Sequence, residues 1–234
     1  MPAIPRLALA RCPVPRSPGS GGRARVGQHY FSQHPAAAHR PGAVHVVLPD
    51  LHLELETDSA MFSPGRLDAG SRLLLETVPP PPASGDLLDL GAGYGPLALV
   101  MAARSPGAAV WAVDVNERAL ALCARNAGRA GLANVRCVTP EAPGMPRRFG
   151  LVWSNPPIRI GKQALHDLLG TWLARLAPGA PGYLVVQRHL GADSLHRWLA
   201  EAGWETTRVA ARGGYRVLRA SRADAAPGAR PHEC

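Results

Sequence analysis

Lysine is almost missing from this sequence: of the 26 basic residues only Lys162 is a lysine, and the rest are arginines. Cysteine is scarce and scattered. Cys12, Cys123, Cys137 and Cys234 form no Cys-x-x-Cys pair and no Cys/His ligand spacing. That pattern excludes a zinc ribbon and a disulfide-stapled miniature fold, and it points to a reducing cytoplasm with Cys123 and Cys137 as small core residues. His29, His34, His39 and His45 are spread at no ligand spacing, so no metal is expected. No apolar run approaches the roughly 20 residues of a membrane helix, which removes the membrane from the candidate partners. The opening MPAIPRLALARCPVPRSP is basic, but its apolar piece is short and broken by proline, which is not the build of a secretory signal.

What is present is enough for one good-sized domain: 234 residues, 46% of them hydrophobic. The net charge of +9 is unevenly placed, with five arginines and no acid in residues 1–26. The body is only mildly basic, compatible with a polyanion partner without demanding one. Residues 1–26 and 221–234 are rich in Pro, Gly, Ser, Ala and Arg without periodicity and read as a disordered basic leader and a flexible tail. Residues 27–78 read as a β-rich lead-in and a helix. VHVVLPDLHLELETD gives two short strands around Pro-Asp, and a helix starts near Asp68. After the PPPPASG linker, residues 79–220 alternate strand and helix. GDLLDLG, AAVWAVDV, NVRCVTP, FGLVW and GYLVVQ are strands with helices between them, and WETTRVAAR with GYRVLRA forms a final strand pair. Near-continuous apolar strands alternating with helices predict a Rossmann-like α/β fold, a mostly parallel sheet covered on both faces.

The first strand of this region runs into GAGYG. Gly91, Gly93 and Gly95 let the backbone turn sharply and approach a ligand, with a helix N-terminus behind them. Asp89 lies just inside the loop, and Asp114 ends the next strand twenty-five residues later, where an acid can hold both hydroxyls of a ribose. The hydride-transfer fingerprint needs glycine at 96, which is Pro96, and a GK[ST] phosphate loop is absent. A nucleoside carrying a cationic or zwitterionic appendage fits this set better than a pyrophosphate. Against it stands the plain alternative of structural glycines plus a surface acid.

A second loop leaves the strand FGLVW through SNPPIRIG. Pro156 and Pro157 fix φ and donate no hydrogen bond, so they stiffen the chain right after Asn155. This is either a rigid turn or a device that holds the Asn155 amide for a ligand. DLGAGYG, VDVN and SNPP together resemble the class I S-adenosylmethionine-dependent methyltransferases, over Asp86 to about Ala220. MFSPGRLDAGSRLLLE and GYRVLRA narrow the resemblance to the small-subunit ribosomal RNA guanine-N2 methyltransferases, the methyltransferase small domain type. The resemblance implies a seven-stranded sheet with an antiparallel final strand and S-adenosylmethionine as cofactor. It implies that Asp89 and the glycine loop cradle the methionine part and that Asp114, with Asn116 beside it, holds the ribose. The usual acid after the third strand is not obvious here, and Glu141 is the candidate. The implied partner is ribosomal RNA or the small ribosomal subunit.

Relatives with this Pro-Pro loop methylate planar nitrogens, which are poor nucleophiles because their lone pair is delocalised. The Asn155 side-chain oxygen and a carbonyl near Pro156 can accept the two N–H bonds of such an amine and aim its lone pair at the sulfonium methyl. The gain is positioning and electrostatics. Ile158 departs from the aromatic usual at this position, and base–aromatic stacking is worth roughly 1–3 kcal/mol. Three accounts compete: Phe62 supplies the ring, hydrogen bonds hold the base, or the protein has left nucleic-acid work. Arg159 and Lys162 are placed to meet phosphate, or are simply a solvated loop. The expected activity is methyl transfer to an exocyclic base amine, guanine N2 first. The rivals are methylation of a protein Gln or a DNA adenine, and a cofactor-binding RNA assembly module without turnover. Gln187 and His189 are weaker pocket candidates; the tryptophans read as packing.

Overall fold

The computed structural model describes residues 41–58 and 66–222; Phe62, the leader and most of the tail lie outside these. The expected elements are present. β1 (Pro41–Leu48) and β2 (Leu51–Asp58) form a separate antiparallel hairpin around Pro49-Asp50. Helix α1 (Ala69–Thr77) follows, with Asp68 as its N-cap. Then come β3 (Ser84–Leu90), α2 (Pro96–Arg104), β4 (Gly107–Val113), α3 (Glu117–Arg129), β5 (Val135–Val138) and β6 (Leu151–Ser154). The chain closes with α4 (Lys162–Leu173), β7 (Gly182–Gln187), α5 (Ala192–Glu201), β8 (Glu205–Arg212) and β9 (Tyr215–Ser221).

The seven main strands lie in the order β5-β4-β3-β6-β7-β9-β8, all parallel except β9, which runs against both its neighbours. The chain first builds outward from β3 through β4 to β5. It then returns and builds the other way from β6. The reversal leaves a crevice at the carboxyl ends of β3 and β6, where open α/β sheets take their ligands.

The sheet is buried on both faces, as its apolar strands require. One layer, under α1, α2 and α3, contains Leu74, Met101, Leu87 and Trp153; the other, under α4 and α5, contains Leu169, Leu173, Phe149 and Leu184. Each such side chain contributes roughly 1.5–3 kcal/mol when fully buried. Trp153, Trp172 and Trp204 are core residues, and Trp198 stacks on His166 at 4.0 Å between ring centres. The hairpin is pinned to α3 through Asn126. Its side chain accepts from Glu56 N–H at 2.7 Å and donates to the Glu56 carbonyl at 2.9 Å and the Tyr94 carbonyl at 3.0 Å. Asp50 takes Arg104 bidentately at 2.8 and 2.9 Å, and Arg129 pairs with Glu56. Among the described residues no helix is long and apolar enough to cross a membrane.

Candidate functional site

The glycine loop begins where β3 ends. Gly91 and Ala92 donate their N–H groups to the Val113 carbonyl at 2.8 and 3.0 Å, which ties the loop to the end of β4. Gly91, Gly93 and Gly95 all have positive φ, the conformation that L side chains resist. Gly95 is also closed in: a Cβ there would lie 2.5 Å from Cys123 Sγ and 2.6 Å from Leu99 Cδ1. Pro96, which broke the dinucleotide fingerprint, opens α2 at its first position, where its missing N–H costs nothing and its φ is already helical.

Two acids define the chemistry of this half. Asp89 is fully buried. One oxygen accepts the Ala98 N–H at 2.9 Å, and the other, Oδ1, has no partner among the described residues. Burial pushes its pKa up to about 8, the Ala98 bond pulls it back, and Asp114 adds to the rise. A buried carboxylate oxygen without a partner is costly, and a cation-bearing ligand at this loop would satisfy it. Asp114 sits on the rim. Its oxygens accept from Gly93 N–H and Asn116 N–H, each at 2.9 Å. Burial raises its pKa and those backbone bonds oppose the rise. Asn116 is beside it, but its side-chain oxygen accepts from Arg118 and Ala119 as the N-cap of α3. Glu141 is exposed in the turn after edge strand β5.

The second half starts at the end of β6. Leu90 and Ser154 are paired across β3 and β6, and Ser154 Oγ donates to the Leu90 carbonyl at 2.7 Å in a fully buried bond. The Asn155 carbonyl and Pro157 Cδ would each lie 3.9 Å from a Cβ at Gly91, so the two loops run side by side. The Asn155 side chain donates Nδ2–H to Asp68 Oδ1 at 2.9 Å and to Ser71 Oγ at 3.1 Å. The Pro156 carbonyl accepts the Ile158 N–H at 2.9 Å in a tight three-residue turn; its second lone pair stays available. A short 3-10 turn, Ile158–Ile160, follows, with the Ile160 N–H donating to the Pro157 carbonyl at 3.2 Å. Ile158 and Ile160 pack against the core layer under α4 and α5. That is the physical reason for an isoleucine in this loop. Arg159 and Lys162 are exposed, and among the described residues neither makes an ion pair.

Gln187 and Tyr215 close the far side, Gln187 donating to the Tyr215 hydroxyl at 2.6 Å. The Tyr215 ring lies against Gly70 in the first turn of α1, where a Cβ would approach it to 2.9 Å. His189 is exposed in the turn after β7. The residues that sequence reasoning passed over are therefore Asp68, Ser71, Ser154 and Tyr215. Asp68 lies at the helix start that the sequence indicated, but nothing local marked its reach to Asn155. Among the described residues no group of His, Cys, Asp and Glu could hold a metal. A surface cleft of about 990 Å³ between the hairpin, α1 and α2, lined by Val47, Arg72, Pro80 and Arg104 among others, shares no residue with this site.

Known proteins resemble this chain in sequence and in fold. A protein of Bacillus subtilis described as "Uncharacterized protein YbxB" is 30% identical over 200 residues, 84% of this chain and 100% of that protein. Ribosomal RNA small subunit methyltransferase C of Aeromonas hydrophila is 33% identical over 141 residues, 60% of this chain but 40% of its own length. A solved structure of the T. thermophilus 16S rRNA N2 G1207 methyltransferase in complex with AdoMet and guanosine superposes with a TM-score of 0.68 at 25% identity, covering 81% of this chain and 52% of that one. The chain thus spans about half, or less, of the length of these two ribosomal RNA methyltransferases. The family model for the methyltransferase small domain matches residues 52–219, which takes in α1, both loops and the final strand pair, and the chain belongs to that family.

Proposed function

We propose that this protein is an S-adenosylmethionine-dependent N-methyltransferase acting on an exocyclic base amine, with guanine N2 of ribosomal RNA as the first expectation. The observation that carries the reading is the placement of Asn155 beside Gly91 across the β3–β6 crossover, so that an amine-holding loop and a cofactor loop share one crevice. The residues suit that cofactor. Buried Asp89 has one oxygen to spare for a cationic group. The positive-φ glycines leave room for close backbone approach. Asp114 stands at the neighbouring strand end for a ribose, with Asn116 fixing its carboxylate through a backbone N–H. Glu141 remains the acid nearest in sequence to the end of β5.

When bound, the cofactor supplies a methyl group on a sulfonium, an electrophile that needs only a well-aimed lone pair. The chain does the aiming. Asn155 Oδ1 and a main-chain carbonyl of the Asn155-Pro156-Pro157 turn accept the two amine hydrogens, which localises the nitrogen lone pair and directs it across the crevice. No strong base is required, because the nitrogen becomes acidic once methylated. Ile158 gives the base an apolar edge, and Arg159 and Lys162 meet backbone phosphate. Similarity to two ribosomal RNA methyltransferases supports the substrate class, and the cytoplasm is where the chain would meet it.

The test is incubation of the full chain with methyl-labelled S-adenosylmethionine and ribosomal RNA or small subunits lacking the modification, followed by digestion and mass separation of nucleosides. Label in N2-methylguanosine is expected. Asn155→Ala should reduce turnover by about 10²–10³-fold, the scale for deleting one preorganised polar group, while cofactor affinity stays unchanged. Cofactor binding with no label in any nucleoside would sink the RNA reading and leave a binding module.

A further inference from the structure

We propose that Asp68 and Ser71, in the first turn of α1, are positioning residues for methyl transfer: they lock the Asn155 amide with its nitrogen turned inward and its oxygen turned toward the target amine. This rests on the amine-methylation reading above and names residues through which that site acts.

A primary amide can face either way, and the two orientations have opposite chemistry. With the oxygen toward the substrate it accepts an amine hydrogen; with the nitrogen there it repels one. Asp68 Oδ1 lies 2.9 Å from Asn155 Nδ2 and Ser71 Oγ lies 3.1 Å from it. A carboxylate only accepts. If the amide turned over, its oxygen would meet that carboxylate at contact distance, in a half-buried setting where such a pairing is costly. Both hydrogens of Nδ2 are used in the observed orientation, so nothing is gained by turning.

Asp68 is itself held. The same oxygen accepts the Ser71 N–H at 2.9 Å as the N-cap of α1, and Ser71 is buried. Capping alone explains the bond to Ser71. It does not explain the second bond, to a residue eighty-seven positions away at the end of β6. Donation to a carboxylate also polarises the amide, placing more negative charge on Asn155 Oδ1 and making it a better acceptor for the amine. The lead-in helix is thus part of the catalytic apparatus rather than a cover over it.

The test is a double-mutant cycle in the full chain. Asp68→Ser keeps an N-cap hydroxyl but is too short to hold Asn155 as well; Asp68→Asn keeps the shape and an acceptor oxygen without the charge. Asp68→Ser should lower kcat by about 10²-fold, as expected for a misplaced reacting group, with the KM for RNA and the Kd for cofactor little changed. Asp68→Asn should recover part of that loss. In an Asn155→Ala background, Asp68→Ser should cost nothing further. Equal losses in both backgrounds, or an unaffected kcat, would overturn the proposal. A second readout does not need turnover. The side-chain amide protons of Asn155, identified in an NMR spectrum by their loss in Asn155→Ala, should be protected from solvent exchange and become unprotected in Asp68→Ser. If the natural chain methylates no RNA, the function assigned above falls, and these signals still decide the amide lock. Protection unchanged in Asp68→Ser would overturn the lock whatever the substrate.

Discussion

The glycine loop after β3 is held by its immediate neighbours, whereas the Asn-Pro-Pro loop after β6 is held from across the chain. In the first, Val113 accepts the N–H groups of Gly91 and Ala92, Asp114 accepts that of Gly93, and Asp89 accepts that of Ala98 in the following helix. These partners lie between β3 and the residue after β4, and Asn126 of α3 adds a bond to the Tyr94 carbonyl. In the second, the turn itself is stiffened by two prolines and local backbone bonds, but the Asn155 side chain, proposed to hold the amine, is oriented by α1. Under the proposed function the two loops have different jobs. A cofactor of constant shape can be met by backbone, which glycine exposes. A planar amine must be met by one side chain at one rotation, and that takes a second element to set. Damage should therefore be distributive in the glycine loop, affecting fold and cofactor together, and separable in the other.

The largest expected effect tests the first half of that contrast. Gly95→Ala would place a Cβ 2.5 Å from Cys123 Sγ, at a φ of +98°. The left-handed backbone costs roughly 1–2 kcal/mol and the overpacking roughly 1–3 kcal/mol more. A drop in the urea midpoint at unchanged m-value, together with weakened cofactor binding, is the expected pair of results. A variant of full stability that had merely lost turnover would contradict the idea that this loop is one unit with its neighbours.

Asp89 gives the next effect, and its sign can be worked out. The folded-state pKa is raised to about 8 by burial, above an ordinary value of about 3.9 in the unfolded chain. The folded state therefore holds the extra proton between those values. Its stabilising contribution is complete below the unfolded pKa and is lost as pH rises through about 8. Asp89→Asn mimics the protonated form. Without cofactor, the natural chain and the variant should have similar stability near pH 3, and the variant should become the more stable by a margin that grows up to about pH 8. The same variant should bind S-adenosylmethionine less well, because under the proposed function the spare oxygen meets the cation. A stability difference independent of pH would remove the buried carboxyl from the account.

The same contrast explains what could be read from sequence. The fold was legible because β3, β4, β6 and β7 are continuous apolar runs that alternate with helices. The grouping around the glycine loop was legible because its members are close in sequence: Asp89, three glycines and Asp114 show their spacing on inspection. The loop after β6 was legible only at Asn155-Pro156-Pro157. Asp68 and Ser71 looked like an ordinary helix start, since a cap has a local signature and a long-range hydrogen bond has none. Ile158 looked out of place until its packing under α4 supplied a reason. Pro96, which first served to exclude a dinucleotide fingerprint, turned out to be the first residue of α2. Glu141 was chosen by position along the chain; its exposed place in the turn after β5 leaves nothing around it that fixes its side chain.

The smallest effect lies where the two halves join. Ser154 Oγ donates to the Leu90 carbonyl at 2.7 Å, a buried bond between the ends of β6 and β3. Ser154→Ala removes it at a cost of about 1 kcal/mol, or about 2–4 °C in Tm for a chain of this size. If each loop carries its own support, that should be nearly the whole result, because Asn155 is still turned by Asp68 and Gly91 is still tied to Val113. Turnover should then fall by less than tenfold with cofactor affinity intact. A larger loss of turnover at the same small loss of stability would mean that the distance between the loops is set by this one hydroxyl. The crevice, rather than either loop, would then be the unit on which the chemistry depends.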